Sequence, residues 1–209
     1  MPQTDLKDHW NKAYKLKDIE ELGWYEASAK PSLDLINKCN LDKNASILNV
    51  GSGATILVDE LIAMGFDNVI ATDISENALD KLKTRLNDKT GKTRFIVDDL
   101  TNPVKLNHLE PVDLWHDRAV LHFFNKKEDQ DAYFDLLKKL VKQKGYVIIA
   151  TFNLNGALKC SGLPVHRYDE NMLKEKLGSD FMLIEQFDFT FTMPSGDTRE
   201  YIYTLFNRK

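Results

Sequence analysis

Two glycines and a downstream aspartate are the residues of this sequence with the clearest chemical use. Gly51 and Gly53, separated by Ser52, directly follow the apolar run 47–50, and Asp73 lies twenty positions after Gly53. Glycine at a turn adopts backbone angles that other residues avoid, and it lets a ligand approach the main chain. A carboxylate placed like Asp73 accepts hydrogen bonds from ribose hydroxyls. The pattern therefore predicts a site for a nucleoside.

The residues around these glycines argue against a ligand that carries phosphates. The dinucleotide pattern G-x-G-x-x-G requires a small residue where this chain has Ile56, and no G-K-[ST] follows to form a phosphate-binding loop. Residues 44–80 contain no Lys or Arg, whereas their acidic residues are Asp59, Glu60, Asp67, Asp73, Glu76 and Asp80. A helix amino terminus alone can hold a phosphate, but nothing here assists it. An acidic neighbourhood suits a phosphate-free adenosine with a positive centre, such as S-adenosylmethionine.

His116, Asp117 and His122, in and just after a predicted strand, invite a catalytic interpretation, and Asp113, His116 and Asp117 invite a metal-binding one. A histidine or carboxylate beside a reacting group can act as a general base, so His116 and Asp117 are the candidate catalytic residues. The competing interpretation is that the histidine is a hydrogen-bonded structural residue. Because no H-E-x-x-H spacing is present, we predict no metal site.

The elements that must position these residues alternate between strand and helix patterns. Apolar segments rich in β-branched residues predict strands over 45–50, 68–73, 93–99, 112–120 and 145–152. Apolar residues at helical spacing predict helices after Pro31, over 57–64, from Ser75, along the 133–141 stripe and over 170–177. This alternation is typical of a parallel sheet that is covered by helices.

The carboxyl-terminal part departs from this alternation. Segments 183–192 and 199–207 both read as strands, and only the polar turn 193–198 joins them. Strands joined so tightly must be antiparallel, because a parallel pair needs a long crossover. The predicted fold class is therefore α/β, a three-layer Rossmann-like sandwich with a mostly parallel sheet and a carboxyl-terminal antiparallel hairpin.

The composition restricts the class of protein. A chain of 209 residues suits a single domain, in which we expect residues 1–30 to cover the site and residues 31–209 to form the core. The net charge of −4 argues against a nucleic-acid partner, and no run of about 18 apolar residues predicts a membrane span. Two widely spaced cysteines, Cys39 and Cys160, and an amino terminus unlike a signal peptide predict a reducing, cytoplasmic setting.

The order of these motifs resembles that of class I S-adenosylmethionine-dependent methyltransferases, from about Trp10 to the carboxyl terminus. That family usually carries an acidic residue and then x-G-x-G-x-G in the first loop. Here "NVGSGAT" places Asn49 where the acid is usual and Thr55 where the last glycine is usual. The carboxyl-terminal hairpin is the fold feature of that family. "HWNKAY" followed by "GWYE" is similar to a pattern of small protein-lysine methyltransferases and their bacterial relatives.

The resemblance implies a set of cofactor contacts. Asp73 takes the ribose-binding role, Asp99 rather than Asp98 lies at the adenine amine with Leu100 beside the ring, and His116 contacts the ligand after the fourth strand. The amino-terminal aromatic residues close over the ligand, where their faces suit a sulfonium, or they simply pack on the core. The complete implied set is Trp10, Tyr14, Trp24, Asn49, Gly51, Ser52, Gly53, Asp73, Ile74, Asp99, Leu100 and His116.

The function implied is in-line transfer of a methyl group from S-adenosylmethionine to a small-molecule or protein acceptor, with S-adenosylhomocysteine as the product. Segment 160–168 follows the fifth strand on the ligand side and is the best candidate to face the acceptor. Two other functions stay open: a non-catalytic sensor or scaffold that binds S-adenosylmethionine, and an NAD-dependent oxidoreductase. A nucleic-acid methyltransferase ranks last, because the chain lacks an overall basic charge and an N-P-P-Y-like turn.

Overall fold

A seven-stranded sheet forms the middle layer of the part of the chain that the structure describes. The computed structural model describes residues 6–209, without the side chains of residues 88–90. The strands of the sheet are β1 Ile47–Val50, β2 Val69–Asp73, β3 Thr93–Val97, β4 Val112–Arg118, β5 Val141–Phe152, β8 Phe181–Thr192 and β9 Thr198–Arg208. Their spatial order is β3-β2-β1-β4-β5-β9-β8. The first five strands are parallel, and β9 and β8 form the predicted antiparallel hairpin, so the predicted fold class is confirmed.

Helices cover both faces of this sheet. Their bounds are α1 Leu6–Leu16, α2 Lys30–Lys38, α3 Leu57–Ala63, α4 Glu76–Leu86, α5 Lys127–Leu140 and α6 Glu170–Leu177. A small separate hairpin, β6 Lys159–Cys160 and β7 Leu163–Pro164, follows β5 and has no counterpart among the predicted elements. No helix among the described residues is long and apolar enough to cross a membrane.

The core lies on both sides of the sheet because successive strand residues point to opposite faces. In β1, Ile47 packs in a cluster with Leu35 of α2, whereas Leu48 packs in another cluster with Trp115 and Leu137. All five side chains are fully buried. A strand that is buried on both faces reads as the continuous apolar run seen in the sequence.

The fifth strand begins earlier than the sequence predicts. The pattern places Val141 in the apolar stripe of the preceding helix, but α5 ends one residue before it and Val141 pairs with Val112 in the sheet. The following residues are polar, and Lys144 adopts a positive φ of 64° just before Gly145. The polar residues between Val141 and Gly145 interrupt the apolar pattern that marks a strand. The sequence pattern therefore does not show that β5 begins at Val141.

Helix α1 is fastened across the carboxyl edge of the sheet. Ser75, the amino-terminal cap of α4, donates from its hydroxyl to Asn11 Oδ1 at 2.8 Å. Asn77 donates from its side chain to the Asn11 carbonyl at 3.0 Å. These bonds join α1 to the amino-terminal end of α4, and residues 1–5 fall outside the described residues.

Candidate active site

A cavity opens at the carboxyl ends of β1, β2 and β4, where the strand order reverses. Ligands of open α/β sheets bind at this switch point. The cavity is partly open to solvent, and its lining is mostly apolar with a few acidic side chains, as is usual for a ligand site. Its lining consists of Leu6, Trp10, Tyr14, Trp24, Gly51, Thr55, Thr72, Asp73, Ile74, Asp98, Asp99, Leu100, Arg118, Ala119, Val120, Phe123, Phe124 and Cys160.

Neighbouring segments approach the glycine loop too closely for any side chain there. Gly51 and Gly53 both have a φ of 53°. A Cβ atom on Gly51 would lie 2.0 Å from Val120 Cγ2, and one on Gly53 would lie 2.2 Å from the Tyr14 hydroxyl oxygen. Gly51 lines the cavity, whereas Ser52 and Gly53, both predicted as cofactor contacts, are not part of its lining. Sterics therefore require both glycines, but only Gly51 borders the ligand space.

Asp73 ends β2 and links the glycine loop to the cavity. Its Oδ2 accepts the Gly53 N–H at 2.8 Å, and its Oδ1 accepts the Ser75 N–H at 2.8 Å. Each carboxylate oxygen has two lone pairs, so both keep capacity for a further donor. Burial raises the pKa of Asp73 to about 6, against the stabilising backbone N–H groups. At neutral pH Asp73 is therefore an ionised acceptor with a fixed orientation.

Three aromatic side chains form a roof over the cavity. Trp24 Nε1 donates to the Tyr14 hydroxyl at 2.9 Å. The Trp10 ring stands edge-on to Trp24 with ring centroids 5.3 Å apart, and to Phe123 with centroids 4.9 Å apart. Burial raises the pKa of Tyr14, while hydrogen bonds from Trp24 and from the Ala54 N–H oppose that rise. Tyr14 therefore joins α1 to both the roof and the glycine loop.

Changing Tyr14 to phenylalanine should lower the free energy of unfolding by about 1–3 kcal/mol, because the Trp24 and Ala54 donors would lose their acceptor. Urea unfolding followed by circular dichroism measures the loss. Tyr25→Phe is the matched control in the same segment, since the Tyr25 hydroxyl has no hydrogen bond among the described residues, and a change within about 0.5 kcal/mol is expected. Equal losses in both variants would contradict the assigned role of Tyr14.

The two adjacent acids after β3 have different partners. Asp98 uses both carboxylate oxygens to accept backbone N–H groups of its own loop, from Asp99, Val104 and Leu106. Asp99 accepts the N–H and hydroxyl of Thr101 through Oδ1 at 2.8 Å each. Both acids line the cavity. Asp98 therefore shapes the loop, which favours Asp99 as the acid that meets a ligand.

The structure places His116 inside the protein rather than in the cavity. Its Nδ1 lies 2.9 Å from Asn49 Oδ1, and its Nε2 lies 2.9 Å from Ser32 Oγ. Burial, together with the charge of Arg118, lowers the pKa of His116 to about 3, so the ring is neutral. A base must reach its proton directly, and neither His116 nor Asn49 lines the cavity. His116 and Asn49 therefore join β1, β4 and α2, and their ligand contacts stay a prediction.

Asp117 is also buried behind the cavity wall. Its Oδ1 accepts the Val120 N–H at 3.0 Å, and its Oδ2 accepts the Leu121 N–H at 3.1 Å and the Tyr133 hydroxyl at 2.7 Å. Burial raises the pKa of Asp117 to about 7, while these three donors oppose the rise. The catalytic role of Asp117 likewise stays a prediction. Asp117 shapes the turn after β4, in which Ala119 adopts a φ of 68°.

Several lining residues escape sequence reasoning. Arg118 is the last residue of β4, and Val120 and Phe123 follow it in the turn. Their position at the end of β4 could have indicated these residues, since the carboxyl ends of parallel strands lie at the same edge of the sheet. Of the predicted acceptor-facing segment 160–168, Cys160 alone is in the described lining. Tyr168 is fully buried.

The lining fits a phosphate-free adenosine with a positive centre. Among the described lining residues, Asp73, Asp98 and Asp99 are acidic, and Arg118, at the β4 end, is the basic one. Thr55 contributes a buried hydroxyl oxygen that has no partner in the described part of the chain. No cluster of three His, Cys, Asp or Glu side chains suitable for a metal occurs among the described residues. The donor set therefore matches a nucleoside ligand better than a pyrophosphate.

Comparison with known proteins decides the family. A family model described as a methyltransferase domain matches residues 41–207, which is most of the chain. The chain belongs to this family. EEF1A lysine methyltransferase 2 of Mus musculus is 28% identical to this methyltransferase over 160 residues. That alignment covers 70% of the chain but only 65% of the mouse protein, so the chain spans slightly less than two thirds of this relative.

Solved structures resemble the methyltransferase over nearly its whole length. An S-adenosylmethionine-dependent methyltransferase from Anabaena variabilis has a TM-score of 0.77 at 13% identity, covering 98% of this chain and 93% of the other. Magnesium protoporphyrin IX methyltransferase from Synechocystis, with bound S-adenosylmethionine, has a TM-score of 0.70 at 17% identity, covering 99% and 96%. These likenesses confirm the predicted class I fold, and the family model over residues 41–207 identifies the chain as a methyltransferase domain.

Proposed function

We propose that the methyltransferase binds S-adenosylmethionine with the ribose at Asp73 and the adenine beside Asp99 and Leu100. The observation that carries this placement is the Asp73 carboxylate, which lines the cavity while Gly53 and Ser75 N–H groups fix its orientation. The remaining space extends past Gly51 and the aromatic roof towards the end of β4. This space suits the amino-acid tail and the reacting methyl group.

The protein contributes mainly alignment to the proposed reaction. When bound, S-adenosylmethionine supplies a methyl group activated by a positive sulfur, and S-adenosylhomocysteine is released. Trp10 and Trp24 cover the site against water, and their ring faces suit a positive sulfur. Holding donor and acceptor in line can lower the barrier by roughly 7–11 kcal/mol. Because His116 and Asp117 do not reach the cavity, we assign neither of them a proton-transfer step.

The affinity for S-adenosylhomocysteine should fall as the pH is lowered through about 6. The pKa of Asp73, raised to about 6, means that the carboxylate is ionised at pH 7.5 and about nine-tenths protonated at pH 5. If only the ionised form binds the ribose well, affinity drops by about tenfold over this range. Calorimetric titration at both pH values measures it. Asp73→Asn removes the titrating group, so the affinity of this variant should hardly change with pH. If its affinity changes with pH as much as that of the unmodified protein, another group causes the pH dependence.

The acceptor is the finer part of the proposal. We propose a protein or small-molecule acceptor rather than a nucleic acid, and the net charge of −4 supports this choice. The name of the mouse relative, a lysine methyltransferase, supports a protein acceptor. Two free cysteines, Cys39 and Cys160, support a reducing setting such as the cytoplasm.

Two measurements test the proposed function. Calorimetric titration should show binding of S-adenosylhomocysteine and no binding of NAD at the same concentrations. Transfer of a labelled methyl group from S-adenosylmethionine into a lysate, split into protein and small-molecule fractions, should label one fraction. Binding without labelling of either fraction would favour the non-catalytic sensor, and preference for NAD would overturn the cofactor placement.

A further inference from the structure

An arginine at the β4 end of the cavity carries a donor group without a partner. The Arg118 side chain is only 6% exposed and lines the cavity. Its Nε lies 2.9 Å from Glu26 Oε1 and 3.2 Å from the Tyr203 hydroxyl, and its Nη1 donates to the Trp24 carbonyl at 3.1 Å. Its Nη2 is buried with no partner among the described residues. A buried charged donor without an acceptor destabilises the folded protein, so its presence needs an explanation.

Aromatic rings and hydrogen bonds hold this guanidinium in place. Its central carbon lies 4.8 Å from the Phe191 ring centroid and 5.2 Å from the Tyr201 ring centroid. A guanidinium fixed in this way presents planar N–H groups, which match the oxygens of a carboxylate. Arg118 is therefore preorganised for an anion and would lose little side-chain entropy on binding one.

Arg118 lies on the opposite side of β1 from the proposed cofactor contacts. Asp73 ends β2 and Asp99 follows β3, whereas Arg118 ends β4. Cys160 lines the same cavity, and burial raises the pKa of its thiol to about 11 while the charges of Arg199 and Arg118 oppose that rise. Arg118 is therefore the cation that lines this end of the cavity among the described residues, whereas Asp73, Asp98 and Asp99 line the other end.

Glu26 offsets the charge of Arg118 only in part. Burial raises the pKa of Glu26 to about 7, against the attraction of Arg118 and with the repulsion of Glu60. Near neutral pH this carboxyl group is therefore partly protonated. The Arg118 end of the cavity keeps positive charge for a ligand.

We propose that Arg118 binds an anionic group of the methyl acceptor, so that the acceptor carries a carboxylate rather than an ammonium group. The inference rests on the proposed placement of the cofactor, which leaves the β4 end of the cavity for the acceptor. A carboxylate would satisfy the Nη2 donors, whereas the ammonium of a lysine would meet a like charge. This acceptor would be negatively charged, whereas the lysine in the name of the mouse relative is positively charged.

Three benzene-ring probes of similar size, one anionic, one neutral and one cationic, test which charge the acceptor carries. The full chain, saturated with S-adenosylhomocysteine, is titrated by calorimetry with benzoate, benzamide and benzylamine, since Trp24 and Phe123 line the cavity together with Arg118. Benzoate should bind at least about tenfold more tightly than either other probe, and Arg118→Met should weaken benzoate by about tenfold or more. Arg118→Lys keeps the positive charge but lacks the planar, two-pronged guanidinium. Its affinity for benzoate should fall between those of the unmodified protein and Arg118→Met. Arg94→Met, at an exposed position on β3, is the matched control and should change nothing.

The outcomes separate this inference from the proposed function. If S-adenosylhomocysteine does not bind the unmodified protein, the cofactor placement fails first. If it binds but benzylamine is preferred, or benzoate is unaffected by Arg118→Met, the acceptor inference alone is overturned. Because Arg118→Met leaves Glu26 unpaired and can disturb folding, Arg118→Met/Glu26→Gln removes both charges and must give the same loss of benzoate. A variant that weakens S-adenosylhomocysteine but not 5′-methylthioadenosine would assign Arg118 to the cofactor tail and overturn the proposal.

Discussion

Asp73→Ala should weaken the binding of S-adenosylhomocysteine by roughly 1.5–3 kcal/mol, which is about 10- to 150-fold. This is the range for hydrogen bonds to a charged acceptor, and Asp73 is the ionised acceptor that borders the cavity at the end of β2. Calorimetric titration at pH 7.5 measures the affinity directly. Unchanged affinity would refute the ribose-binding role.

Controls for Asp73→Ala separate loss of the ligand contact from loss of structure. The Gly53 and Ser75 N–H groups lose their acceptor in this variant, so circular dichroism must show that it remains folded. Asp73→Asn keeps the shape and one acceptor oxygen, and its affinity should fall between those of the wild type and the alanine variant. Asp67→Ala, at an exposed position just before β2, should bind normally. A loss of affinity shared by Asp67→Ala would point to net charge rather than to this carboxylate.

Gly51→Ala should lower the free energy of unfolding by about 2–5 kcal/mol and weaken S-adenosylhomocysteine by more than about tenfold. The new Cβ would lie 2.0 Å from Val120 Cγ2, so Val120 or the loop must move, and both border the ligand space. Overpacking of this kind costs about 1–3 kcal/mol, and the positive φ adds about 1–2 kcal/mol. Urea unfolding and calorimetric titration measure the two effects.

Two further variants divide the Gly51→Ala effect into its causes. Gly196, in the turn before β9, has a φ of 90° and no atom within 4 Å of the position that a Cβ would take, so Gly196→Ala adds a side chain at a positive φ without a clash. Adding Val120→Ala to Gly51→Ala removes the closest atom and should recover part of both stability and affinity. If Gly196→Ala costs as much as Gly51→Ala, or if Val120→Ala gives no recovery, the steric account is wrong.

The layers of the fold are predictable because their signals are local. Each central strand is buried on both faces, so its sequence is a continuous apolar run, and each helix keeps its apolar stripe at helical spacing. The short polar turn before β9 allows only an antiparallel pair. Val141 is misplaced by the sequence pattern because the strand begins directly after a helix, where the two apolar patterns merge.

The details of the candidate site are less predictable because they depend on which way a strand-end side chain faces. His116, Asp117 and Arg118 are consecutive, yet only Arg118 lines the cavity. The partners of His116, Asn49 and Ser32, lie far along the chain, whereas Asp117 is held by the N–H groups of the nearby Val120 and Leu121. Sequence spacing shows that chemistry-bearing residues meet at this edge but does not show which of them turn away from it.

The fastening of α1 has a consequence for turnover. Asn11 holds the helix to α4, and Tyr14 holds it to Trp24 above the glycine loop. These contacts lie over the glycine-loop side of the cavity, so we expect them to separate before a product nucleoside leaves and a new cofactor enters. We therefore expect product release, rather than the methyl-transfer step, to limit the rate of turnover.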